Sequence, residues 1–160
     1  MAVDMFIKIK GVAGESEDND HKGENDVLAW SWGMSQSGTM HVGGGGGAGK
    51  ANFQDLGITK WVDKGSVTLM QACAKGSHIE SANLIVRKAG DKPLEYIKLD
   101  MKELIVTSVS TGGSGGEDRL TENVSLNFRE WKITYTPQDD KGGGAGAVDF
   151  GFNIAKNIAV

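Results

Sequence analysis

The chain has one cysteine, no basic cluster and no long apolar run. A lone Cys73 excludes an intramolecular disulfide framework, and its setting between Met70 and Ala74 reads as a small core residue on a helical stretch. Lys and Arg total 17 against 21 Asp and Glu, for a formal net charge of -4, and no five-residue window is basic. That balance excludes nucleic acid as the expected partner, because phosphate affinity needs concentrated positive charge. No segment approaches the ~18 apolar residues of a membrane span, and Met1 to Lys10 lacks the basic start and apolar core of a signal peptide. The expectation is a protein made in the cytoplasm that does not insert into a membrane, and whose export would need a machine indifferent to signal peptides. His21, His41 and His78 are scattered outside any metal-ligand spacing, so neither metal nor cofactor is expected.

What is present is ordinary composition with abundant glycine. Hydrophobic residues make up 39% and charged residues 24% of 160, enough for one sizeable core and one domain spanning 1–160, despite 24 glycines. The glycines concentrate in two tracts, Gly43 to Gly49 and Gly112 to Gly116. Gly44, Gly49 and Lys50 fall in register with a phosphate-binding loop, but Ala51 stands where a hydroxyl should hold magnesium. The following Asn52 to Thr59 alternates like a strand, and a loop feeding a strand cannot aim a helix N-terminus at phosphate. A run of five glycines matches almost any glycine pattern, which also defeats the dinucleotide pattern at Gly44, Gly46 and Gly49. Supple main chain that approaches another backbone closely is the better account.

Period-two alternation dominates. Met5, Ile7 and Ile9 share a face opposite Phe6, Lys8 and Lys10; Leu28, Trp30 and Trp32 form the bulkier, inward set, leaving Ser31 on the other surface. Ala82 to Lys88 and Tyr96 to Val109 read as a strand pair joined by a turn at Ala89 to Pro93, the second strand bending near Lys102 and Glu103. In Leu120 to Tyr135 the apolar parity switches near Arg129 and Glu130, as at a bulge or bend. Val148 to Ile158 reads as a last strand. One helix is expected, with Ser66 as N-cap, Val67, Met70 and Ala74 on its apolar face, and Gly76 at its C-terminal cap. Gly14 to Gly23 and Gln138 to Gly146 read as exposed connections. The fold class is therefore mainly β, a small antiparallel barrel with one flanking helix.

No residue qualifies as catalytic. Glu117, Asp118, Arg119 and the nearby Glu122 read as a solvated or interfacial charge patch at a loop exit. The chain offers instead sheet edges and glycine arms suited to pairing with another chain.

Longer strings carry more information. Met1 to Ile9, Val27-Leu28-Ala29-Trp30-Ser31-Trp32-Gly33-Met34-Ser35-Gln36-Ser37-Gly38, the tract closing at Gly49-Lys50, and Ser108 to Val124 closely resemble the haemolysin-coregulated protein (Hcp) family, the tube subunit of bacterial type VI secretion systems. The resemblance runs through Tyr135-Thr136-Pro137 to Phe150-Gly151-Phe152-Asn153-Ile154. It implies a phage tail-tube-like β-barrel, six copies in a ring, and rings stacked into a hollow tube. It also implies a contractile sheath and baseplate that drive the tube out, a spike at its tip, and small effectors in the lumen. On that reading Ser31 is expected to face lumen and cargo. Gly43, Gly44, Gly45, Gly46, Gly47, Gly49 and Lys50, with Gly90 on the opposite ring face, are expected at stacking or neighbour contacts, and Glu117, Asp118 and Arg119 between ring neighbours. The competing expectation is a monomeric β-barrel that binds a ligand, or a hydrolase with glycine-rich lids.

Overall fold

The computed structural model describes residues 2–44, 47 and 49–160. Ten strands and one helix follow in the order β1 (Val3–Ile9), β2 (Asn25–Ser31), β3 (Met34–Ser35), β4 (Asn52–Phe53), β5 (Leu56–Trp61), α1 (Lys64–Lys75), β6 (Ile79–Lys88), β7 (Leu94–Thr111), β8 (Thr121–Tyr135), β9 (Val148–Asn153) and β10 (Ile158–Ala159). The main sheet runs β10-β9-β8-β5-β2-β1-β6-β7, and β7 also pairs with β8. That last pairing closes six antiparallel strands into a barrel and leaves β9 and β10 as a flange outside it. Both glycine tracts lie between strands, Gly43 to Gly49 between β3 and β4 and Gly112 to Gly116 between β7 and β8.

Alternation fills the barrel. Ile7 and Ile9, Leu56 and Ile58, Leu84, Leu99, Leu104, Val124 and Leu126 are all 0–2% exposed and form one cluster with Leu69 of the helix. The expected bend in β7 is at Glu103, a non-glycine residue at φ 54. Opposite it β8 changes phase, with Phe128 and Trp131 both buried on either side of Arg129 and Glu130. Bending both partners at one level lets β8 pair with β5 before the bend and with β9 of the flange after it, with β7 alongside.

Five readings need correction. The helix starts earlier than Ser66: Asp63 is the N-cap, its carboxylate accepting from Gly65 N at 2.9 Å, while Ser66 Oγ accepts from Asp63 N at 2.9 Å. Gly76 ends it at φ 62, as expected. The buried face of α1 is Gly65, Ser66, Leu69 and Ala72, whereas Val67 is 71% exposed, because α1 packs against β7 through the other side. In β2 a bulge between Val27 and Ala29 shifts parity, so Val27 is buried and Leu28 exposed, while Trp30 and Trp32 still pack on the core and Ser31 still faces out. Val148 to Ile158 is not one strand but β9, a turn with Asn157 at φ 55, and the returning β10.

The fifth correction concerns residues 14–24. The Gly14 to Gly23 connection is a folded segment, not a solvated loop: Gly14 N donates to Gly23 O, Ser16 N to Glu24 O and Gly23 N to Ser16 O at 2.8–3.0 Å. Gly14, Ser16 and His21 are buried. Glu15 reaches the first turn of α1, accepting from Lys64 N at 2.9 Å. Gln138 to Gly146 is largely exposed, as expected.

Candidate lumen and assembly surfaces

Residues paired across neighbouring strands point to the same side of a sheet. On the outer side of β2, β5, β8 and β7 the register lines up two rows, Ser31–Gly57–Ser125–Ser108 and Ala29–Thr59–Asn123–Ser110. Every side chain in both rows is short and uncharged. Thr59 Oγ1 donates to Asn123 Oδ1 at 2.7 Å, and a shallow hollow of about 210 Å³ opens over Ser31, Gly57, Thr59, Asn123 and Ser125. Gly57 leaves the floor without a side chain, although a Cβ there would make only an ordinary contact, 3.4 Å from Ser31 Oγ. Charge appears only past the rows. The Asp55 carboxylate accepts from Thr107 Oγ1 and Asn127 Nδ2, both at 2.8 Å. The Arg119 guanidinium lies 4.3 Å over the Trp61 ring.

The remaining expected contact residues fall in three places. Gly43, Gly44, Gly47, Gly49 and Lys50 belong to the long connection between β3 and β4, and Gly45 and Gly46 lie outside the described residues. Gly44 is at φ 81, which favours glycine. Gly49 allows close approach, because a Cβ there would meet Ser37 Oγ at 2.6 Å. Thr39 Oγ1 donates to Gly47 O at 2.8 Å, and Met40 and Val42 stand 82% and 57% exposed nearby. Gly90 sits at φ 153 in the exposed turn from β6 to β7, beside the 138–146 loop that Lys88 Nζ reaches by donating to Gln138 Oε1 at 3.1 Å. Glu117, Asp118 and Arg119 are exposed, and among the described residues none of the three forms an ion pair.

Glu122 does not belong to that patch. It is fully buried, and its Oε1 accepts from Lys60 Nζ at 2.7 Å and from Ser66 Oγ at 2.6 Å. Lys60, also fully buried, donates further to Asp63 Oδ1 and to the Trp61 carbonyl. This polar knot ties the cap of α1 to β5 and β8. A signal for it exists in the sequence: Lys60 shares the inward parity of Leu56 and Ile58, and Glu122 that of Val124 and Leu126.

A second charged group lies under residues 14–24. Arg87, 7% exposed, donates to Asp18 at 2.5 Å and 3.1 Å and to Asp4 at 3.2 Å. The Arg87 hydrogen bonds hold the Asp18 carboxyl at about 2, against the opposing effect of burial.

Among the described residues no catalytic arrangement comes together. Gly112 to Gly116 spells Gly-x-Ser-x-Gly around Ser114, but it is an exposed loop between antiparallel strands, without the helix that a nucleophile elbow requires. Among the described residues no group of three His, Cys, Asp or Glu is placed to hold a metal ion, and no helix is long and apolar enough to cross a membrane.

The comparisons agree with this geometry. The family profile described as "Type VI secretion system effector, Hcp" matches residues 6–135. Protein hcp1 of Pseudomonas aeruginosa is 59% identical over 160 residues, covering 99% of both chains. Among solved structures, Hcp1 from Salmonella typhimurium superposes with a TM-score of 0.83 at 39% identity, covering 100% of each chain. A structure titled as a type six secretion system protein reaches a TM-score of 0.93 at 33% identity, over 99% of this chain and 100% of that one.

Proposed function

Because the chain belongs to the Hcp family of type VI secretion proteins, we propose that it is a structural subunit whose copies close into six-membered rings that stack into a hollow tube. The observation that carries the reading is the pair of uncharged rows across β2, β5, β8 and β7. A wide outer sheet face of Ser, Thr, Asn, Ala and Gly, on a barrel already filled by its own core, suits the wall of a wet channel better than a packed interface. In the ring this face lines the lumen, with Ser31 touching the small effectors carried there. The connection between β3 and β4, with Gly43 to Gly49 and Lys50, meets the neighbouring ring, and the Gly90 turn lies on the opposite ring face. Glu117, Asp118 and Arg119 set register between ring neighbours. The sheath and baseplate drive the tube, tipped by a spike, out of the cell, so the protein leaves the cytoplasm without a signal peptide.

Light scattering on the eluting protein tests the ring: the expected mass is six times the 17.0 kDa protomer. A 17.0 kDa particle at high concentration overturns the reading. Ser31→Gln tests the lumen assignment, since it should leave the ring intact and weaken retention of a lumen effector. An unchanged effector complement in intact rings removes Ser31 from the lumen.

A further inference from the structure

The connection from β1 to β2 carries a histidine with a carboxylate on each ring nitrogen. His21 Nδ1 lies 2.6 Å from Glu24 Oε2, and Nε2 lies 2.8 Å from Glu95 Oε1. The ring is 5% exposed and stacks on Phe6 of β1, centroids 4.4 Å apart at 14°. An ionised carboxylate only accepts, so both contacts are hydrogen bonds only while both ring nitrogens carry protons. A neutral ring turns one lone pair toward a carboxylate oxygen in a site nearly closed to water.

The two carboxylates are not equivalent. Glu24 is on the same segment, three residues on, and moves with His21. Glu95 belongs to β7 and the barrel, where Lys98 lies 3.3 Å from its other oxygen. Burial opposes the Glu95 charge, yet hydrogen bonds from His21 and Lys98 hold its carboxyl below the usual range. A neutral ring keeps one of the two bonds, and it is loss of the Nε2 proton that breaks the one joining segment to barrel. The other groups facing this site are Arg87 from β6, 5.1 Å from the Phe6 ring centroid, with Asp4 of β1 and Asp18 and Asp20 of the segment around it. Arg87 keeps its charge and Asp18, at about 2, stays ionised through neutrality, so these anchors do not respond where an imidazole does. The Glu15 contact to Lys64 N holds the segment's other end.

We propose that residues 14–24 form a proton-gated strap, in which doubly protonated His21 pins the strap to Glu95 of β7, and loss of that proton frees the strap locally while the barrel stays folded. Release uncovers the Phe6 ring, only 4% exposed beneath His21.

Hydrogen exchange of the full-length protein at about pH 5.5 and about pH 9 brackets the imidazole range, after correction for intrinsic chemical exchange. The reporters are the bonded amides of Ser16, Gly23 and Glu24. Their protection should fall about tenfold at the higher pH, the worth of one charge-assisted hydrogen bond, while amides of β5 and β8 hold. His21→Gln should show the same strap protection at both pH values, and Glu95→Gln, which keeps the histidine and gives it a partner able to donate, should lose most of the response. Equal strap protection at both pH values in the unsubstituted protein overturns the proposal, as does an undiminished response in either variant. The readout needs neither ring nor tube, so it fails or succeeds apart from the assembly reading.

Discussion

Lys60 and Glu122 are direct partners across the β5–β8 pairing, with 2.7 Å between ammonium and carboxylate and no solvent exposure on either side chain. Removing one member strands a buried charge, which costs roughly 3–5 kcal/mol, whereas replacing both with apolar side chains is far milder. Lys60→Met and Glu122→Gln should each lower stability by about that amount in urea unfolding, and Lys60→Met with Glu122→Leu should recover most of it. A single-variant loss below about 1 kcal/mol would mean the pair behaves like a surface one.

Gly14 is the tightest glycine among the described residues. A Cβ there would lie 2.3 Å from Glu24 O and 2.8 Å from Asn25 Cγ, in the ladder that folds residues 14–24 on themselves. Gly14→Ala should cost about 1–3 kcal/mol or more, as overpacking against backbone does. Gly38→Ala is the control: nothing lies within 4 Å of its Cβ, so its midpoint should shift by no more than about 0.5 kcal/mol.

Asp18 sets part of the acid limit. Its folded carboxyl titrates at about 2, below its ordinary value of 3.8, so its contribution is complete above that ordinary value and disappears as pH falls toward about 2. Melting temperatures of the unsubstituted protein and Asp18→Asn should therefore differ near neutrality and converge at the acid end of that window. A gap that persists at the lowest pH would show that ionisation of Asp18 is not its source.

Trp131, 2% exposed, holds the flange to the barrel. It packs edge-on to Trp32 at 4.8 Å, against Phe53 at 5.8 Å and edge-on to Phe150 of β9 at 5.7 Å. Trp131→Ala should cost about 3–5 kcal/mol and raise the exchange rates of β9 and β10 amides most. Uniform loosening of the barrel without extra exposure of the flange would contradict this role.

Much of the barrel is legible in the chain because half-buried strands write their parity into it. The β7 bend at Glu103, the phase change in β8, the Gly90 turn, the Gly76 cap and the outward Ser31 all follow from local residue order. Sequence and structure part where tertiary contacts override local pattern. The bulge at Leu28 reverses one face of β2, and docking on β7 selects the Leu69 side of α1 over the Val67 side. Residues 14–24 look like a polar loop because their partners, Arg87 and Glu95, are about 70 residues away. Glu122 joins the exposed charge patch only when charge is weighed ahead of parity. The two outer rows need the register of four strands, and no single segment contains them.

On the proposed lumen reading, those rows have a consequence for anything that moves along them. With no fixed charge on Ser31, Gly57, Ser125, Ser108, Ala29, Thr59, Asn123 or Ser110, an acidic and a basic passenger meet nearly the same weak potential, and neither finds a strong trap. Each hydroxyl and amide exchanges readily with water, so adhesion at any one point is brief. Such a lining discriminates by outline and size, and lets go as easily as it holds.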